Sequence, residues 1–264
     1  MPLKGIITRA VTSLALRGIP FASSQTQLNK VEQISVGGSE RKYIVSRPAA
    51  PHPCPTIFVL HGSFANAQMA MLGMGFEALV EREQLAAVYP DAVAMQWNDG
   101  HAPSIAWGGR RPPDDVEFLR ALATHLVRIG VSDTNRIYVT GFSSGGMMAF
   151  RLMCEAPGVF AAIAPIAATL PAELFRCCKT KPTPTLLING TADSLVPFAG
   201  RKFSFAGRRV PSNDETIRFL RKVNGCTDTV KIDRLPPVNG SDASSVVIAS
   251  WRVAPRRLQW FCIE

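Results

Sequence analysis

Ser143 lies in Gly141-Phe142-Ser143-Ser144-Gly145-Gly146-Met147, a Gly-x-Ser-x-Gly run behind the β-branched and aromatic stretch Arg136 to Thr140. A serine placed this way can attack an acyl carbon. A strand feeding a sharp turn pushes the hydroxyl clear of the backbone, and the helix that follows aims its first N–H groups and positive end at the attacked oxygen. Gly141 and Gly145 leave the turn free of clashing side chains. Such chemistry needs two further parts, a carboxylate to orient an imidazole and backbone donors for the oxyanion. Asp193, in Asn189-Gly190-Thr191-Ala192-Asp193, follows an apolar run and suits the first role. Leu60-His61-Gly62-Ser63-Phe64 closes an earlier apolar run. Ser63 and Ser144 are the expected N–H donors, with Phe64 as the alternative to Ser63.

These residues must be carried by strands that end at one edge. Lys42 to Arg47, Thr56 to Leu60, Leu85 to Tyr89, Arg136 to Thr140, Phe160 to Ile166, Thr185 to Ile188 and Ser245 to Ser250 read as strands. Asn66 to Glu83, Asp114 to Ile129 and Glu215 to Val223 read as helices. The second has prolines just ahead of it, a stripe of Val116, Leu119, Leu122, Leu126 and Val127, and Gly130 as its stop. Asp114 and Asp115 at its start are expected to cap it and face its dipole. Strands alternating with helices predict an α/β fold, a mostly parallel central sheet with helices on both faces. Ala92 to Pro113 is the one long irregular loop. Its Trp97 and Trp107, with Phe64, are candidates to stack a ring of the substrate. His61, one residue beyond a buried strand, is expected to be a structural, hydrogen-bonded histidine.

The chain has 264 residues, 47% of them hydrophobic and 19% charged, which suits one sizeable core. Residues 1–30 are expected to be a poorly ordered leader and 31–264 the catalytic domain. The net charge of +9 is scattered over short basic pairs with no aromatic interleaving, so a nucleic-acid partner is not expected. No run is long and apolar enough to span a membrane. Cys54, Cys154, Cys177, Cys178, Cys226 and Cys262 have no metal-ligand spacing, and neither a metal nor a cofactor is expected. Six cysteines fit an oxidising location, secreted or in the cell envelope, with their pairing open.

Several of these pieces together resemble the polyhydroxybutyrate-depolymerase-like esterases of the α/β-hydrolase superfamily, which include feruloyl and acetylxylan esterases. The resemblance runs from about Lys42 to Gly225. It rests on Leu60-His61-Gly62, Tyr89-Pro90-Asp91, Asp114 to Leu119, Gly141 to Met147, Gly190 to Asp193 with Val196-Pro197, and Asn224-Gly225-Cys226. It implies a serine esterase acting through an acyl-enzyme, with Ser143 as nucleophile and Asp193 as acid. The substrates it implies are hydroxyalkanoate, feruloyl or acetyl esters, small or carried on a polymer. The sequence departs from the family at Asn189, where a histidine is common, and at Ser63, where a cysteine is common. In this fold the base follows the acid in chain order. His52, His61, His101 and His125 all precede Ser143, and the family's Gly-Gly-Gly-His segment is expected directly after Trp260 to Glu264. The sequence is therefore expected to be a fragment cut before its base and weakly active by itself. The competing expectation is a catalytically dead binding protein of the same fold.

Overall fold

A computed structural model describes residues 30–49, 53–101, 107–202, 209–226, 229–235, 237, 244–253 and 256–264. Residues 1–29 of the expected leader and His52 lie outside the described residues. Ten strands form one sheet: β1 (Val31–Val36), β2 (Ser39–Ser46), β3 (Cys54–Leu60), β4 (Ala86–Pro90), β5 (Ser132–Phe142), β6 (Ala162–Ile166), β7 (Thr185–Gly190), β8 (Lys231–Leu235), β9 (Val246–Val253) and β10 (Arg256–Ile263). Their order is β1-β2-β4-β3-β5-β6-β7-β10-β9-β8. The six strands from β4 to β10 in that order run parallel, and antiparallel pairs close both edges.

The helices are α1 (Ala67–Gly73), α2 (Glu77–Glu83), α3 (Asp115–Arg128), α4 (Ser144–Glu155), α5 (Leu174–Cys177) and α6 (Asn213–Asn224). Each parallel crossover must lay a helix back on the sheet, which buries both faces of its central strands. β3 shows the result, with Ile57, Phe58, Val59 and Leu60 all buried. The larger core joins alternate residues of the central strands to α3, α4 and α6, while the smaller joins Ile57, Val59, Ala87 and Tyr89 to α1 and α2. This is the α/β class expected from the alternation of elements.

Three details differ from the sequence reading, and a fourth fills in the cysteine pairing it left open. The single helix expected from Asn66 to Glu83 is two, because Gly75 takes φ 72° between α1 and α2. β1 exposes Val31, Gln33 and Ser35 and only half buries its other face, and β8 exposes Lys231, Ile232 and Arg234, so neither reads as an apolar strand. The strand expected at Ser245 to Ser250 is not the last, since β10 follows it and inserts between β9 and β7. α4 is tied by a disulfide, Cys154–Cys178, to the end of α5, and Cys54, Cys177, Cys226 and Cys262 are free thiols.

Candidate active site

Ser143 is the hinge between β5 and α4. Its φ of 54° and ψ of −116° lie where a side-chain-bearing residue is strained, and such strain persists only when the surroundings impose it. They do so here from both sides. Ser143 N–H donates to Ile166 O at the end of β6 (2.9 Å), and Ser143 O accepts from Met147 N in α4 (3.0 Å). Gly145 makes the turn possible, because a Cβ there would overlap the carbonyl oxygens of Leu60 and His61. The end of β3 and the start of α4 can therefore meet only across a glycine.

That approach brings the two expected oxyanion elements together. A Cβ on Gly62 would lie 3.7 Å from Ser143 Cβ, so Gly62, which precedes Ser63, faces the serine directly. Ser144 opens α4, where the first N–H groups have no partner within the helix. Ser63 N–H donates to no acceptor among the described residues. Phe64 cannot replace it, since its N–H is already given to Met95 O at 3.0 Å. Phe64 itself has φ 63° and an 83% exposed ring, which puts it at the rim rather than in the wall of a site.

His61 holds this segment in place. Its Nδ1 lies 2.7 Å from Gly62 O and its Nε2 accepts Ala92 N–H at 3.1 Å, a pairing that fits the neutral ring. Burial pulls its pKa down, against smaller upward pulls from Gly62 O and from Asp91 and Asp115. With both ring nitrogens engaged, His61 cannot take the proton of Ser143. Trp97 completes the arrangement: its Nε1–H donates to His61 O at 2.9 Å and its ring packs on the imidazole, centroids 5.0 Å apart. It is completely buried. This corrects the expectation of a ring-stacking Trp97, which has no face left for a ligand. Trp107 is buried as well, at 7% exposure, so it too offers no stacking platform.

Asp193 lies beyond the carboxyl end of β7, on the same edge of the sheet as Ser143 and two strands away. Its Oδ1 accepts Leu195 N–H and Val196 N–H, each at 2.9 Å, which fixes the carboxylate and leaves Oδ2 without a hydrogen bond among the described residues. The carboxyl end of β10 adjoins it, because Thr191 N–H donates to Ile263 O at 2.8 Å. No imidazole is hydrogen-bonded to Ser143 Oγ or to Asp193 among the described residues.

Sequence reasoning missed the polar knot behind the site. Asp114 is the N-cap of α3, its Oδ1 accepting Glu117 N–H at 3.0 Å, as expected of a capping carboxylate. Asp115 is not a second cap. It is wholly buried, 2.6 Å from Arg41 Nη2, and its other oxygen accepts Asn98 N–H at 2.7 Å. Burial pushes its pKa up, while Arg41 and the Asn98 N–H pull it down. Arg41 also donates to Asp91 O and stacks over Phe118 at 3.9 Å. Arg151 of α4 donates to Asn98 O at 2.5 Å. The knot thereby fastens β2, the 91–98 loop, α3 and α4 to one another. The sequence signal was only an unaccounted carboxylate beside a cap, with its cation far away in the chain.

Residues 113–206 match the family described as Phospholipase/Carboxylesterase. Over 231 residues, 82% of this chain, the sequence is 36% identical to NocK of Nocardia uniformis subsp. tsuyamanensis, a protein designated an esterase. It is 32% identical over 150 residues, 53% of this chain, to feruloyl esterase B of Piromyces equi. The chain spans 65% of the length of the first and 26% of the second. Among solved structures, acetyl xylan esterase from Aspergillus awamori superposes with a TM-score of 0.58 at 13% identity, over 88% of this chain and 92% of that one. A thermostable esterase gives 0.54 at 19% identity, over 75% and 51%.

Proposed function

We propose that this chain, a member of the α/β-hydrolase superfamily related to feruloyl and acetylxylan esterases, hydrolyses carboxylic esters through an acyl-enzyme on Ser143. The observation that carries the reading is the strained Ser143 at the β5–α4 junction, faced by Gly62, with the N–H of the adjoining Ser63 given to no acceptor among the described residues. Ser143 Oγ attacks the ester carbon, and the Ser63 and Ser144 N–H groups receive the charge that moves to oxygen. The C–O bond to the alcohol then breaks, and the alcohol leaves with the proton given up by Ser143. Water repeats the attack and releases the acid. Asp193 serves to orient and stabilise the imidazolium of a base through its open Oδ2. His61 is excluded from that role by its own hydrogen bonds.

Hydroxyalkanoate, feruloyl and acetyl esters, free or on a polymer, are the substrate classes we assign to this apparatus. An extracellular or envelope location is supported by the Cys154–Cys178 disulfide, since such bonds persist in oxidising compartments. No helix among the described residues is long and apolar enough to cross a membrane.

Fluorophosphonate labelling tests the nucleophile. The probe attaches to the peptide containing Ser143, and Ser143→Ala removes the label; labelling that survives this substitution overturns the assignment. Added imidazole tests the rest. In residues 1–264, turnover of an activated ester rises with imidazole concentration above the free-imidazole background. That increment vanishes in Ser143→Ala and falls in Asp193→Ala.

A further inference from the structure

A cavity of about 450 Å³ opens beside Ser143 on the face of the sheet that carries α1 and α2. Its walls are Met69 of α1, Met74 after it, Phe76 at the N-cap of α2, Leu79 of α2, Phe142 and Ile166. Gly62 joins the cavity to the nucleophile, lying on its wall while facing Ser143. Phe142 immediately precedes the serine, and Ile166 supplies the carbonyl that anchors Ser143 N–H. The volume is within the range of small-molecule sites, about 300–1,000 Å³.

From this geometry we infer that the cavity is the acyl pocket and that it selects an unsubstituted aliphatic acyl group of medium length, in preference to a hydroxylated aromatic one. The inference rests on the esterase reading for its context and goes beyond the substrate classes assigned there, whose acyl groups are shorter, hydroxylated or aromatic. Two observations carry it. The first is that the described lining offers no polar partner for a buried group. Among the described residues His61 is the only lining residue with a polar side chain, and its ring nitrogens are held by Gly62 O and Ala92 N–H. A phenolic hydroxyl pushed into this cavity would lose its water and gain no hydrogen bond, which costs about 1–3 kcal/mol, or roughly fivefold to more than a hundredfold in affinity. The second is the wall material. Two methionines and the glycines of the α1–α2 break give a wall whose shape adapts to a flexible chain better than to a flat rigid ring.

The position of the cavity also separates acyl group from alcohol. It lies on the α1–α2 face, walled by residues of α1, α2 and the ends of β5 and β6, so the acyl side of the ester has an apolar enclosure of its own. An acyl chain enclosed there places no demand on the size of the alcohol, including one belonging to a polymer.

Binding to the Ser143→Ala protein tests the pocket without depending on turnover. Ethyl esters from acetate to octanoate are titrated by calorimetry or by quenching of intrinsic fluorescence. Each added methylene tightens binding by up to about fourfold until the cavity is filled, the factor that corresponds to about 0.8 kcal/mol per buried CH₂. Ethyl ferulate binds at least about fivefold more weakly than ethyl cinnamate, which lacks its hydroxyl and methoxy groups. Met69→Trp flattens the chain-length dependence by narrowing the cavity, and Met69 is 56% exposed, so the fold accommodates the larger ring. Affinity that is flat along the alkyl series, or ferulate binding as tightly as cinnamate, overturns the proposal. Because these measurements omit the nucleophile, failure here leaves the labelling of Ser143 untouched, and failure of labelling leaves the pocket untouched.

Discussion

His61 carries more of the site than its lack of catalytic chemistry suggests. Its imidazole spans Gly62 O and Ala92 N–H, and its carbonyl receives Trp97 Nε1–H. Replacing it with phenylalanine keeps the ring packing on Trp97 but leaves Ala92 N–H unpaired, while Gly62 O retains only the Ala65 N–H at 3.3 Å. The expected cost is about 1–3 kcal/mol for the buried donor left unsatisfied, read from urea unfolding of the variant. Its pH dependence follows from burial, which lowers the folded pKa below the ordinary 6.5. A depressed histidine binds fewer protons folded than unfolded, so its contribution is present above pH 6.5 and is lost as pH falls through the folded value. Unfolding free energies measured between pH 7.5 and 5 should show that decline in the wild type and a weaker one in His61→Phe. A slope unchanged by the substitution would assign the decline to other groups. The strand-to-helix turn at Ser143 was legible because every determinant is local: two glycines, a strand before and a helix after. The partners of Asp115 and Trp97 were not, because Arg41 and His61 lie far from them in sequence and only the fold brings them together.

At the scale of elements, termini decide where helices begin. α6 opens with a capping box in which Ser212 Oγ accepts Glu215 N–H and Glu215 accepts Ser212 N–H, with Arg209 closing a salt bridge at 2.7 Å. It ends at Gly225 in the left-handed region, φ 65°. Ser212→Ala is expected to cost about 1 kcal/mol, measurable as a lower urea midpoint. The Ser212 N–H bond chiefly, and Arg209 after it, hold Glu215 below its ordinary 4.5. That contribution is present above pH 4.5 and is lost as pH falls through the lower folded value, so Glu215→Gln, which cannot ionise, and wild type should converge in stability in acid. Helices of this kind were readable from periodicity and caps. The α1–α2 break was not, because both flanking segments present apolar residues to the same face and only the φ of Gly75 interrupts them. β8 was hidden for the opposite reason: as an edge strand it carries Lys231, Asp233 and Arg234, residues that protect an open edge and erase the apolar signal.

Across the whole molecule, the knot of Arg41 and Asp115 joins parts of the chain that the sheet alone leaves independent. Asp115→Ala strands the buried guanidinium of Arg41 and frees Asn98 N–H, and is expected to cost about 3–5 kcal/mol. Asn98 lies between Trp97 and Arg151, so the same variant should loosen the 91–98 loop, visible as faster amide exchange from Ala92 to Asn98. Destabilisation with exchange in that loop unaltered would confine the knot to a local role. The architecture was legible from the alternation of strands and helices, since each parallel crossover demands a helix. Strand order was not, because β10 pairs with β7 across the whole of α6, β8 and β9, and no local pattern encodes that partner.

The insertion of β10 has a consequence for how this chain is made. β7 leaves the ribosome with one long edge unpaired, and the strand that covers it emerges about seventy residues later. At about 5–20 residues per second, that edge stays open for roughly 3–15 s. During the interval its apolar Leu186, Leu187 and Ile188 are available to any other nascent strand. Synthesis rate, temperature and the crowding of polysomes therefore bear on yield through this one seam, and a peptide corresponding to β10 supplied in trans is expected to reduce aggregation of chains arrested before Arg256.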